Sequence, residues 1–205
     1  MKYPIGIQDF EKIRNDSYVY LDKTDLIYDL VHNGHIYFLS RPRRFGKSLL
    51  ISTLECYFQG KKELFKGLAI DSLEKEWKQY PVFHIDFNGK DFTQAGELEK
   101  TLLTFVEKQE LIYGRDPLAT TLGDRFMAVL RIAHEKTGLG AVVLIDEYDK
   151  PLLQALCNEN LLKEYRDTLK AFYGVLKSSD RYLRFVFLTG VTKFAQVSVF
   201  SDLAI

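Results

Sequence analysis

His35-Ile36-Tyr37-Phe38-Leu39, then Ser40-Arg41-Pro42-Arg43-Arg44-Phe45-Gly46-Lys47-Ser48, then Leu49-Leu50-Ile51 is the stretch on which the fold turns. The apolar run reads as a buried strand, and a helical pattern opens at Leu49. A strand, a tight loop and Gly-Lys-Ser at a helix start are the arrangement in which proteins hold a nucleoside triphosphate. Backbone N–H groups of the loop and helix N-terminus cradle the phosphates, the lysine supplies a point charge, and the serine hydroxyl ligates magnesium. Arg41, Pro42, Arg43, Arg44, Phe45, Gly46, Lys47, Ser48 and Leu49 are therefore the candidate phosphate-binding set. The pattern also asks for a glycine five residues before Gly46, and Arg41 stands there, followed by Pro42. Glycine suits that turn because it accepts backbone conformations that cost other residues about 1–2 kcal/mol. Two readings of this motif alone stay open: a loop on a different path, helped by the fixed φ of Pro42, or a basic surface loop that happens to precede a helix.

A second motif bears on that choice. Ala141-Val142-Val143-Leu144-Ile145 is continuous, apolar and rich in β-branched residues, as expected of a strand buried on both faces of a parallel sheet. It ends in Asp146-Glu147-Tyr148-Asp149. An acidic pair is costly to desolvate at such a place without a function. In ATPases the first carboxylate holds the magnesium shell and the second activates the attacking water. Asp146 and Ser48 are thus candidate metal ligands, and Glu147 with Lys47 the candidate catalytic pair. Asp149 reads as the cap of the helix that follows Lys150-Pro151.

The remaining composition is that of an ordinary globular domain. A chain of 205 residues, 46% hydrophobic and 27% charged, supports one domain with a substantial core and not a disordered chain. Lysine plus arginine and aspartate plus glutamate both total 28, so nothing points to nucleic acid or an anionic membrane as the main partner. Arg41, Arg43 and Arg44 form the only dense basic cluster. Cys56 and Cys157 each fall in a helical pattern, lack metal-ligand spacing, and read as reduced and buried. No apolar segment of about 18 residues and no signal-like start occur, so the expected location is cytoplasmic.

Along the chain, residues 1 to 21 read as an irregular, extended lead-in, followed by a helix from about Asp22 to Asn33-Gly34. The loop strand covers about 35 to 40, and the helix after Lys47 runs to about Phe58. A short helical patch is expected over 62 to 78, a second strand from Pro81 to Phe87, and a turn at Asn88-Gly89-Lys90-Asp91. Helices follow near 95 to 112 and 118 to 136, then the acidic-ended strand, then one long helix over 151 to 177. A fourth strand, Arg184 to Thr189, closes on Gly190. Alternating strands and helices imply a mostly parallel sheet with ligands at the carboxyl ends of its strands, where Lys47, Asp146 and Thr189 fall.

With these residues placed, the chain resembles the AAA-ATPase-like family of prokaryotic proteins over nearly its whole length. The resemblance is carried by Pro4-Ile5-Gly6-Ile7 with Phe10, Asp22-Lys23-Thr24, Arg41 to Ser48, Asp146 to Pro151, and Leu188-Thr189-Gly190-Val191-Thr192-Lys193-Phe194. It implies that the arginine at position 41 is the family's own form of the phosphate loop, with ATP and Mg2+ as cofactors. It also implies a three-layer α/β P-loop fold of the additional-strand type, with a strand inserted between the loop strand and the acidic one. On this reading residues 1–34 are a lead-in and helix, and 35–205 the nucleotide-binding core. The last strand, any lid and the restriction-nuclease-like C-terminal domain that members often carry have no candidate segment. For a partner besides ATP, two alternatives stay open: a second copy of the chain, or the nuclease-like C-terminal domain.

Thr189 and Lys193 fall where related ATPases place a residue that senses the outer phosphate; a strand-terminal threonine and a solvated lysine explain them equally well. Asp22 and Thr24 read as a helix cap, Asp86 as a turn residue, and Trp77 as packing. Three functional classes follow. The first is an ATPase with Glu147 as base and Thr189 assisting. The second is a nucleotide-gated module without significant turnover in isolation. The third, a small-molecule phosphotransferase, fits the acidic pair less well. A GTPase would need an aspartate after Thr192-Lys193-Phe194, and Ala195 stands there.

Overall fold

In the computed structural model, which describes residues 2–192, four segments pair into one all-parallel sheet: β1 (Ile36–Ser40), β2 (Val82–Asp86), β3 (Ala141–Asp146) and β4 (Leu183–Gly190). Their order is β1-β4-β3-β2, so β4 is the strand inserted between the loop strand and the acidic one. This is the α/β P-loop arrangement expected from the sequence. The four described strands include no fifth partner for β1.

Helices cover both faces, which explains why β3 is apolar throughout. Ala141, Val143 and Ile145 join a core built with α5 (Glu97–Tyr113), α6 (Leu122–Thr137) and α8 (Glu159–Ser178). The alternate residues Val142 and Leu144 join a second core with α1 (Phe10–Asn15), α2 (Thr24–Asn33), α3 (Lys47–Phe58) and α4 (Ala69–Leu73). β4 divides in the same way, with Val186 and Leu188 on one face and Phe185 and Phe187 on the other. Each fully buried aliphatic side chain of these strands contributes about 1.5–3 kcal/mol.

Several local expectations need correction. The lead-in is not wholly extended: Asp9 accepts a hydrogen bond from Lys12 N and caps α1, whose Phe10 and Ile13 are buried. The patch expected over 62 to 78 is a 3-10 turn (Lys62–Phe65) and then α4, split by Gly67 at φ 78° and ended by the extended Glu74. The single helix over 151 to 177 is two, α7 (Lys150–Ala155) and α8, because Asn158 takes an extended conformation and caps Leu161 N. That break leaves Cys157 exposed, while Cys56 is buried as expected. Asp22 and Thr24 are not the cap of α2, whose N-cap is Lys23 without a side-chain bond; they flank that residue and join two helices. Asp22 accepts from Thr24 N and from Ala69 N, and the Thr24 hydroxyl accepts from Ile70 N, fastening the start of α4 to that of α2. Trp77 packs edge-on to Tyr57 and against Phe65, and Asp86 makes a turn by accepting from Asn88 N.

One polar contact across the second core involves an imidazole whose pKa is raised in the folded state. His84 Nδ1 on β2 lies 2.9 Å from Glu55 Oε2 on α3. Burial opposes the charged imidazole, but Glu55, then Asp86 and Asp146, outweigh it and raise the pKa above 6.5. A raised folded-state pKa stabilises the protein fully below the unfolded value, and that contribution disappears as pH rises through the folded value. Urea midpoints are therefore expected to fall as pH climbs above 6.5, and His84→Gln to remove that part of the slope. A His84→Gln profile parallel to the parent's would assign the slope to other groups.

Candidate nucleotide-binding site

The register of the sheet brings the polar residues to one edge. Leu39 pairs with Thr189, Ser40 with Gly190, and Asp86 with Asp146. Beyond β1, Arg41 N donates to Gly190 O at 3.1 Å, which extends the ladder by one residue before Pro42 turns the chain away. The left-handed positions of the loop are Arg44 at φ 69° and Gly46 at φ 75°, and Arg41 is not among them. The backbone at 41 therefore makes no demand for glycine, although the general pattern has one there. A Cβ at Gly46 would meet nothing within 4 Å, so its glycine serves the backbone angle alone. Arg44 takes the same region at a cost of about 1–2 kcal/mol.

Lys47 is the first residue of α3 and is 5% exposed. Its amine donates to Arg41 O at 3.0 Å and Pro42 O at 3.1 Å, so the loop carbonyls aim the side chain back across the loop. The third N–H direction of an ammonium remains, and Glu147 Oε1 lies 4.0 Å away. Lys47 and Glu147 therefore converge although distant in sequence.

The acidic pair is held from β4. Asp146, 2% exposed, accepts from the Thr189 hydroxyl at 2.5 Å through Oδ1, and Asn88 Nδ2 approaches its Oδ2 at 3.5 Å. The Thr189 hydroxyl accepts in turn from Glu147 N at 3.3 Å, and Tyr148 N donates to Thr189 O. A hydroxyl has one proton to give, and that of Thr189 is committed to Asp146 in this arrangement. Glu147 sits at φ 54°, a strained conformation for a residue with a side chain and one that recurs at functional sites.

Asp149 does not cap α7 through its side chain. It is fully buried, and its Oδ2 accepts from Val191 N, Thr192 N and the Thr192 hydroxyl at 2.9, 2.7 and 2.9 Å, tying the residues after β4 to the acidic turn. Tyr148 reinforces this by donating to Thr192 O at 2.7 Å. Lys193 lies outside the described residues.

A cavity of about 540 Å³ opens at this edge, lined by Arg43, Arg44, Gly46, Lys47, Ser48, Leu49, Asn88, Glu147 and Lys150, with Gly6, Ile7 and Gln8 of the lead-in closing one side. Of the loop residues singled out from sequence, Arg41 and Pro42 contribute carbonyls that hold Lys47 rather than wall. Phe45 faces a separate apolar groove of about 700 Å³ that shares only Gly46 and Leu49 with the cavity. In the sequence Asn88 reads only as part of a turn, and Lys150 only as part of the run from Asp146 to Pro151, with no site role for either; they reach the cavity because β2 neighbours β3 and because α7 starts directly after the acidic turn.

No cluster of three or more His, Cys, Asp or Glu side chains suited to a metal occurs among the described residues, and no described helix is long and apolar enough to cross a membrane. No solved structure matches the chain. It is 43% identical over 203 residues to the "uncharacterized protein in vnfD 5'region" of Azotobacter chroococcum mcd 1, covering 98% of this chain and 39% of that relative. Residues 4–200 match the family described as predicted AAA-ATPase. With a match of that extent, on an all-parallel α/β sheet, the chain belongs to the AAA-ATPase-like family.

Proposed function

We propose that the chain binds Mg-ATP in the cavity at the carboxyl edge of the sheet and hydrolyses it, with Glu147 as the base toward water. The observation that carries this reading is the 4.0 Å approach of the Lys47 amine to the Glu147 carboxylate on the wall of one cavity. The amine is placed to charge-pair with outer phosphate oxygens, while backbone N–H groups of the loop and the start of α3 face the same anion.

The oxygen donors of Ser48 and Asp146 fit magnesium, which keeps most of its waters and takes only one or two protein ligands. Asp146 Oδ2 has only the long contact from Asn88, so it retains lone pairs for a cation or its water. The metal would neutralise charge on the phosphates. The Glu147 carboxylate takes the proton of the attacking water, while Thr189 holds the residue at its backbone N–H. Thr189 is a positioning residue in this scheme, since its proton serves Asp146.

Calorimetric titration of Mg-ATP into the chain and into its Lys47→Ala variant tests the site. Removing a charge-assisted phosphate contact is expected to weaken binding at least about tenfold. Equal affinity in the two proteins would overturn the assignment.

A further inference from the structure

We propose that Arg43 and Arg44 supply, from within the same chain, the arginine charge on the transferred phosphoryl group, so that hydrolysis needs no arginine from a neighbouring subunit. The inference rests on the cavity being a polyphosphate site and adds to that reading the source of its guanidinium charge. In the step served, a bond forms from the water oxygen to the outer phosphorus as the bond to the nucleoside diphosphate breaks. The water proton passes to Glu147, and negative charge grows on the oxygens between the departing groups, where a guanidinium fork binds best.

Three observations carry it. The cavity wall holds Arg43, Arg44, Lys47 and Lys150 against one carboxylate, Glu147, in a chain whose formal charges cancel. That local excess suits a polyanion with more charge than one lysine neutralises. Arg43 and Arg44 are also exposed and bonded to no carboxylate among the described residues. Arg14, Arg125, Arg131 and Arg184, by contrast, each commit their guanidinium to a carbonyl or carboxylate. Finally, Arg44 occupies a left-handed position two residues before a glycine that takes the same region without strain. Strain kept in a loop that lines a cavity is accounted for by what the side chain does there.

The backbone angle separates the side chain's role from the loop's shape. Arg44→Gly keeps the left-handed turn and relieves its strain, so its unfolding midpoint is expected to equal or exceed the parent's. Its kcat is expected to fall at least about 100-fold, with Mg-ADP affinity changed by less than about threefold. Arg43→Gln tests the companion side chain, and Arg44→Lys is expected to recover only part of the rate. Phosphate release per chain, followed by light scattering over about a hundredfold range of concentration, is expected to stay constant for the monomer. Arg44→Gly and Arg43→Gln both retaining kcat within about threefold would overturn the proposal. So would activity that appears only as chains associate, or firm Mg-ATP binding without turnover at any concentration. Failure of the full chain to bind Mg-ATP at all would instead remove the nucleotide reading beneath it.

Discussion

Glu147→Gln is expected to bind Mg-ATP within about threefold of the parent affinity and to release phosphate at least about 100-fold more slowly. The substitution conserves size and leaves the backbone contacts of the acidic turn intact, because Thr189 holds residue 147 through its main-chain N–H. Lys47 loses a charge at 4.0 Å but keeps its two carbonyl partners, so its amine stays in place. What disappears is the ability to accept a proton: an amide oxygen is too weak a base at neutral pH to take one from water. A fall in kcat with little change in Kd is the signature of a group that acts only as the reaction proceeds. Single-turnover phosphate release beside calorimetric binding separates the two quantities. Unchanged turnover would remove Glu147 from the chemistry, and a parallel loss of binding would make it a structural support for Lys47.

The parts of this fold that could be read from sequence are those where one physical demand dominates. β3 had to be apolar throughout because both its faces enter cores, and Asp146 ends that run at the sheet edge. α8 was legible in the one-face spacing of Leu161, Leu162, Tyr165, Leu169, Phe172, Tyr173 and Leu176, all buried except the half-buried Leu162. Less was visible where two demands compete. In α1 six residues give too short a pattern to register a period, although Phe10 and Ile13 are both buried. Asn158, embedded in helix-forming sequence, interrupts it by capping rather than by lacking propensity. Asp149 precedes Lys150-Pro151 as a cap would, yet its carboxylate is drawn to backbone N–H groups of Val191 and Thr192, which no local rule could place beside it. The site divides in the same way. Gly46, Lys47, Ser48, Asp146 and Glu147 were legible as motifs, whereas Asn88 becomes a cavity residue only once the strand order is known, and Lys150 only once α7 is seen to start at the acidic turn.

Gly190→Ala is expected to cost about 3 kcal/mol of stability, the upper range for forcing a methyl group into a filled core. The cause is contact, not backbone angle, since Gly190 is outside the left-handed region. A Cβ there would sit 2.1 Å from Tyr148 Cε1, 2.6 Å from its Cδ1 and 3.0 Å from Asp149 Oδ1. None of these can retreat cheaply. Tyr148 is fully buried, meets Phe38 edge-on at 5.0 Å and donates to Thr192 O, while Asp149 is fixed by three donors from Val191 and Thr192. The strand cannot move either, because Gly190 pairs with Ser40 and its carbonyl accepts from Arg41 N at the entrance to the loop. Gly46→Ala offers the contrast: with nothing within 4 Å of the new Cβ, it carries only backbone strain of about 1 kcal/mol. Urea unfolding of Gly190→Ala, Tyr148→Ala and the double variant measures the clash directly. Removing the ring should absorb most of the added methyl, giving a favourable coupling above about 1 kcal/mol. Strictly additive losses would place the strain elsewhere. Because the same contact joins β4 to the acidic turn, folded Gly190→Ala should also lose turnover by displacing Thr189 from Asp146 and Glu147.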